Sequence, residues 1–306
     1  MSGKVVVVGS LNMDLVTRAH RLPKAGETLA GESFATVPGG KGANQAVAAA
    51  RLGARVAMIG CVGDDAYGEQ LCAALIAEQI DCQGVTKVAG VSTGIASIVV
   101  DANSQNAIII VAGGNGHLTP EVVTRFDALL VDADVVVCQL EVPTQTVFHT
   151  LRRARELGKT VVLNPAPALA ALPAQWYSLI DYLIPNESEA TALTGIAVDS
   201  LAGAESAARA LLAAGAAKVI ITLGEQGSLF ASLEGVRHYP APRVVPVDTT
   251  AAGDTFVGGF AAALAQGQSE DNAMQFGQTA AALSVTRAGA QPSIPTFLDV
   301  QGFKPA

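Results

Sequence analysis

Short valine- and isoleucine-rich runs alternate along the chain with longer alanine-rich stretches, and the two kinds of segment carry different periods. The runs Val5 to Val8, Val56 to Ile59, Val135 to Cys138, Thr160 to Leu163, Tyr182 to Ile184 and Val219 to Thr222 are apolar enough to be strands buried on both faces. Between them, residues 42–52, 66–79, 144–157 and 201–214 repeat apolar positions at helical spacing, and Gly53, Gly158 and Gly215 stand where a glycine ends a helix. The pattern predicts an α/β fold with a mainly parallel central sheet. Ligands in such folds meet the carboxyl ends of the strands, which draws attention to Asn12, Asp14, Glu141, Asn164, Asn186 and Gly224.

Two stretches break the alternation. Residues 27–37 and 93–111 look extended, and the second holds two apolar runs, Ile95 to Val100 and Ala107 to Val111, around the turn-rich residues 101–106. They predict a hairpin in a small sheet that projects as a lid or a dimer surface, with an antiparallel extension of the main sheet as the alternative. There is no internal repeat, low-complexity linker or clean domain boundary.

Composition narrows the partners. A chain of 306 residues that is 50% apolar and 15% charged can bury a substantial core. A net charge of -8 without a cluster of Lys or Arg argues against nucleic acid, which needs concentrated basic side chains. Cys61, Cys72, Cys82 and Cys138 are scattered, with no histidine at zinc-ligand spacing, and read as thiols of a reducing compartment. No segment approaches the roughly 20 apolar residues of a membrane span, and Val5 to Val8 is too short for a signal peptide, so a cytoplasmic protein is expected.

The segment with the most chemistry is Val247-Asp248-Thr249-Thr250-Ala251-Ala252-Gly253-Asp254-Thr255-Phe256. Phe256, Val257, Phe260 and Leu264 follow at helical spacing, which places 251–254 in a first turn whose N–H groups have no helical partner. Such a turn binds anions. A carboxylate beside it suits phosphoryl transfer to a hydroxyl, where a base takes the proton and fixed dipoles meet the moving charge. The plainer reading is that Asp254 only favours the helix dipole.

Pro38-Gly39-Gly40-Lys41-Gly42-Ala43-Asn44-Gln45 also leads into a helix. It is neither a P-loop, having Gly42 after Gly-Lys, nor G-x-G-x-x-G, having Gln45 in the last position. Its glycines still allow a polyhydroxylated ligand close to the backbone. Asn12 and Asp14, after the first strand, offer an amide and a carboxylate to neighbouring hydroxyls. Glu189, in Pro185-Asn186-Glu187-Ser188-Glu189, is either a helix cap or a carboxylate for hydrated magnesium. Thr222-Leu223-Gly224-Glu225-Gln226-Gly227 suits a tight turn, with or without a ligand. No histidine falls in a metal-binding or acid-base pattern.

In order and over nearly the whole chain, these segments resemble the ribokinase family of carbohydrate kinases. Gly39-Gly40-Lys41-Gly42-Ala43-Asn44 and Asp248-Thr249-Thr250-Ala251-Ala252-Gly253-Asp254 match its two signatures, and Val285-Thr286-Arg287-Ala288-Gly289-Ala290-Gln291-Pro292-Ser293 is similar to its tail segment. The resemblance implies one three-layer α/β/α domain over 1–306, with a discontinuous β-sheet lid from about 13–38 and 93–113. It implies ATP-dependent phosphorylation of the 5-hydroxyl of D-ribose, with Asp254 as base and the backbone of Ala251, Ala252 and Gly253 as anion hole. Asn12, Met13, Asp14, Gly40, Lys41, Gly42, Ala43, Asn44 and Glu141 would join Asp254 in holding ribose. Asn186, Thr222, Leu223, Gly224, Glu225, Gln226, Gly227 and Gln278 would meet ATP next to Gly253 and Asp254, with Glu189 near Mg2+. Asp248, Thr250, Ser284, Arg287, Gly289 and Ser293 would form a loop for K+, several of them through carbonyls. Gln278 stands where members of the family often carry a histidine that stacks on adenine. A homodimer clasped through the lids is also implied. The rival readings are a related kinase for deoxyribose, fructose or a nucleoside, and a non-catalytic sugar or nucleotide sensor.

Overall fold

The computed structural model describes residues 3–103, 105–168 and 170–303. Its strands are β1 (Lys4–Val8), β2 (Asn12–Arg18), β3 (Ser33–Gly39), β4 (Arg55–Gly63), β5 (Asp81–Val88), β6 (Gly94–Val100), β7 (Asn106–Val111), β8 (Val135–Cys138), β9 (Thr160–Leu163), β10 (Tyr182–Leu183), β11 (Lys218–Thr222), β12 (Ser228–Ser232) and β13 (Gly235–Tyr239). The helices are α1 (Lys41–Arg51), α2 (Ala66–Ala77), α3 (Pro120–Arg125), α4 (Asp127–Val131), α5 (Thr144–Glu156), α6 (Ala174–Tyr177), α7 (Glu187–Thr194), α8 (Leu201–Ala213), α9 (Ala252–Ala265), α10 (Glu270–Ser284) and α11 (Phe297–Gly302).

The valine runs form the centre of a nine-stranded sheet in the order β13-β12-β11-β10-β9-β8-β1-β4-β5, antiparallel only where β11, β12 and β13 meet. Val5 of β1 sits between Val56 and Val135 in parallel register. Side chains alternate across the sheet. Val5, Val7, Met58 and Val137 pack with Val47, Phe256, Phe260 and Met274 of α1, α9 and α10 on one face. Val6, Val8, Ile59 and Val136 pack with Leu151 and Leu211 of α5 and α8 on the other. Both faces are covered, so the runs are continuously apolar, and the layers are α/β/α as expected. Gly53, Gly158 and Gly215 follow three of the helices at φ 98, 67 and 114, the left-handed turn that glycine makes cheaply.

A second sheet of order β3-β2-β6-β7 stands apart from the first. β6 and β7 form the expected hairpin, with Ile95 opposite Val111, while β2 pairs parallel with β6 and antiparallel with β3. The alternative of a main-sheet extension is therefore not what the chain adopts. Residues 27–32 are not strand, and the missing partner comes instead from 12–18, which the sequence presents first as a ligand loop. Among the described residues no helix is long and apolar enough to cross a membrane.

Candidate active site

Two helix N-termini meet beside the sheet's carboxyl edge because α1 and α9 pack closely. A Cβ added at Gly258 of α9 would lie 2.5 Å from the Ala48 methyl and 2.7 Å from the Gln45 carbonyl, so only a side chain as small as hydrogen permits this approach. The start of α1 is drawn equally tightly to the β1–β2 connection. Gly40 has φ +90, and a Cβ there would stand 2.7 Å from the Asn12 nitrogen. Ala43 N–H donates to the Ser10 carbonyl at 2.9 Å and Gly42 N–H to Ser10 Oγ at 3.2 Å. Glu141, after β8, closes the turn by accepting from Ser10 Oγ–H at 2.6 Å and Lys41 N–H at 3.1 Å. Its carboxylate thus sits at the positive end of α1.

Asp254 lies in the first turn of α9 and is 7% exposed. Asn44 Nδ2–H donates to its Oδ2 at 3.0 Å and Gln45 Nε2–H to its Oδ1 at 2.9 Å. The residue before the helix, Ala251, holds φ 58 and ψ 14, a left-handed conformation that strains a residue with a Cβ by about 1 kcal/mol or more. This kink opens the turn. Ala252 N–H reaches the Thr249 carbonyl at 3.3 Å, while among the described residues the N–H groups of Gly253 and Asp254 take no acceptor. A Cβ built on Gly253 would meet nothing within 4 Å, so the backbone there is open to a ligand. Ala251 N–H likewise takes no acceptor among the described residues, so the unpaired donors are those of Ala251, Gly253 and Asp254, within the 251–254 turn the sequence points to.

These donors face a cleft of about 160 Å³ lined by Lys41, Asn164, Asn186, Glu189, Thr222, Thr249, Ala251, Ala252, Gly253 and Asp254. Outside the cleft lining, Asn44 bonds Asp254, and Asp14 lies close enough to Glu141 and Asp254 to sense their charges. Burial, helped by the charges of Glu141 and Asp254, pushes the Asp14 carboxyl up to about 7. Burial pulls the Lys41 ammonium down, but Asp254, Glu141 and Glu189 together outweigh it and leave its pKa raised. Lys41 therefore lines the cleft as a cation among three carboxylates and does not extend into solvent. Asn44 Oδ1 is buried without a partner, an acceptor that a ligand hydroxyl would satisfy.

Not every sequence candidate reaches this place. Met13, Ala43 and Leu223 turn their side chains into the core. Glu225 and Gln226 lie exposed in a short turn, and Gln278 is buried with its Oε1 accepting from Ser228 Oγ–H at 2.8 Å, away from the residues lining the cleft. Glu189 fulfils the capping reading, since it and Asn186 exchange backbone hydrogen bonds of 2.9 and 2.8 Å, and it borders the cleft as well. Asp248 accepts from Thr250 N–H and Oγ–H at 2.9 and 2.6 Å and from Gly289 N–H at 2.9 Å, joining two of the proposed cation segments. Arg287 pairs with Asp299 at 3.3 Å, and Ser284 and Ser293 donate to the Ala281 and Ala290 carbonyls.

Sequence reasoning missed Asn115, which fixes Asn12. Its Nδ2–H donates to Asn12 Oδ1 at 2.8 Å while its Oδ1 accepts Leu11 N–H at 2.9 Å. Gln45 and Gln139 were missed as well. All three are uncharged amides in or beside apolar runs, and nothing in their spacing marks them.

The profile of the pfkB family carbohydrate kinases matches residues 2–297. The chain belongs to this family. It is 45% identical over 297 residues to the ribokinase of Haemophilus influenzae, covering 97% of this chain and 96% of that protein. It is also 41% identical over 293 residues to the deoxyribokinase of Salmonella typhimurium, covering 96% of each. Among solved structures, the ribokinase of Arabidopsis thaliana complexed with ribose and ATP superposes with a TM-score of 0.93 at 32% identity, over 99% of this chain and 100% of that one. This pfkB family member is a sugar kinase that transfers phosphate to a hydroxyl.

Proposed function

We propose that this kinase phosphorylates the 5-hydroxyl of D-ribose with ATP, giving ribose 5-phosphate and ADP, with Asp254 as the base. The single observation that carries the reading is the buried Asp254 carboxylate in the same turn as the unpaired N–H groups of Gly253 and Asp254. Asp254 takes the hydroxyl proton as the oxygen attacks, and the N–H groups meet charge developing on the transferred phosphoryl group. Asn12, Asp14, Asn44 and Glu141 hold the other hydroxyls; the orphan Asn44 Oδ1 supports this. Lys41 stands in the cleft to meet phosphate charge.

Glu189 and Asp254 line the cleft against one ammonium, Lys41, and Asn186 and Glu189 would hold a hydrated Mg2+ through water. The ion supplies neutralisation of the nucleotide phosphates. The Asp248 carboxylate, tying the Thr250 turn to Gly289, fits a K+ loop directly before α9, where the ion would help set the helix start. Replacing K+ with Li+ is expected to lower kcat several-fold at saturating ATP by loosening a phosphate-binding turn. Unaltered turnover across K+, Na+ and Li+ would remove the loop from the account.

Deoxyribose phosphorylation is the second reading, favoured by the likeness to a deoxyribokinase. ADP release over a sugar panel separates the two. A site with buried polar groups for each hydroxyl rejects an analogue lacking one, so kcat/KM for ribose is expected to exceed that for 2-deoxyribose and fructose by at least about 100-fold. Equal or better use of 2-deoxyribose would reverse the assignment.

A homodimer through the second sheet fits its surface. Phe34, Ile108, Ile109 and Ile110 are all at least half exposed, and β7 is an edge strand with no charged residue. The unbridged Cys61, Cys72, Cys82 and Cys138 support a reducing, cytoplasmic setting.

A further inference from the structure

Gln45 is wholly buried, so it touches no ligand, yet it hydrogen-bonds the residue on which the chemistry turns. Its orientation is fixed outward from a backbone carbonyl. Asn164 Nδ2–H donates to the Ile184 carbonyl at 2.8 Å, which turns Asn164 Oδ1 toward Gln45, where it accepts from Nε2–H at 3.0 Å. The second proton on Gln45 Nε2 goes to Asp254 Oδ1 at 2.9 Å. Gln45 Oε1, facing the other way, accepts from Gln139 Nε2–H at 2.6 Å. A primary amide has two N–H donors, and both are used here. Asp254 Oδ1 therefore meets Gln45 only as an acceptor.

We propose that Gln45 is a positioning residue for phosphoryl transfer. The relay from Ile184 through Asn164 and Gln45, locked by Gln139, holds the Asp254 carboxylate in one orientation, with Oδ2 beside Asn44. The inference rests on the reading of Asp254 as base. The charged groups around this carboxylate are Asp14, Lys41 and Glu189, with Glu141 next to the first two, and the substitutions below leave all four in place.

The test uses Gln45→Met, which keeps the length and loses the donors, and Gln139→Met, which frees the far side of the Gln45 amide. For Gln45→Met, kcat is expected to fall about 10- to 100-fold through misplacement of the base, with KM for ribose and ATP within about threefold of the parent. A loss confined to kcat is the split that misplacement of the base gives and a merely structural defect would not. Gln139→Met should lower kcat in the same way by less. A folded Gln45→Met enzyme with the parent's kcat, or one altered only in KM, overturns the proposal. If Gln45→Met does not fold, Gln139→Met decides alone, and an unchanged kcat overturns it. A crippled Asp254→Asn enzyme alongside a Gln45→Met enzyme with the parent's kcat sinks this inference only, whereas Asp254→Asn at the parent rate sinks the base assignment itself.

Discussion

Asp254→Asn is expected to lower kcat for ribose about 10²- to 10⁴-fold, the usual magnitude for a lost general base. The change keeps the volume of the side chain. Its one amide oxygen can still accept from Gln45 Nε2–H, which meets Oδ1 at 2.9 Å, while its NH2 replaces the Oδ2 that Asn44 meets at 3.0 Å and finds the unpartnered Asn44 Oδ1 once that amide turns over. The fold and the open first turn of α9 should therefore survive. What disappears is the ability to take a proton at the moment the hydroxyl oxygen attacks. Steady-state kinetics at saturating ribose and ATP, with a thermal melt as control for folding, checks this. The expected loss is in kcat, with KM for ATP changed little, because phosphate binding belongs to backbone N–H groups and Lys41. Parent-like turnover would show that the carboxylate is only a helix-dipole residue.

Asp14→Asn is expected to separate stability from sugar binding. The Asp14 carboxyl is held at about 7 in the folded protein against 3.8 in the reference state, chiefly by burial and then by Glu141 and Asp254. A raised carboxyl pKa means that the folded protein holds the proton more tightly than the unfolded chain. Its contribution to stability is thus fully present below about pH 4 and is lost as the pH climbs through about 7. One pKa unit corresponds to about 1.4 kcal/mol, so the ionised group costs on the order of 4 kcal/mol above pH 7. An asparagine is neutral throughout, so the variant should be more stable than the parent at pH 8 by up to about that amount and nearly equal at pH 4. Urea denaturation at the two pH values measures it. The same change is expected to reduce kcat/KM for ribose about 10-fold or more, through loss of a charged acceptor for a hydroxyl. Equal stability of the two proteins at pH 8 would mean that Asp14 is not the strained group described.

Much of the scaffold was legible because its strands are buried on both faces. Val5 to Val8, Val135 to Cys138 and Thr160 to Leu163 carry no polar side chain that a half-exposed strand would show, apart from the edge Thr160. β5, β12 and β13 were not, because they lie at the sheet's margins, where Asp81-Cys-Gln-Gly-Val-Thr-Lys-Val and similar segments mix polar and apolar residues without a clear period. The site was legible where backbone shape constrains sequence: Gly40, whose φ is +90, and the small residues at the start of α9 leave few alternatives. It was opaque where a buried amide merely orients a neighbour. Asn115, Gln45 and Gln139 act through tertiary contacts 94 to 209 residues away in sequence, which no local pattern announces. Met13 and Ala43 are the converse, since a motif match carries every residue of the motif while the side chains of these two pack in the core.

On the proposed function, the transferred phosphate goes to a primary sugar alcohol and not to water. Phosphorus NMR of the products formed from D-ribose and Mg·ATP measures that directly. One sugar phosphate signal is expected, split by the two C5 protons, growing in step with ADP and absent without ribose. Inorganic phosphate released independently of sugar, or a phosphate attached at the anomeric carbon, would contradict it.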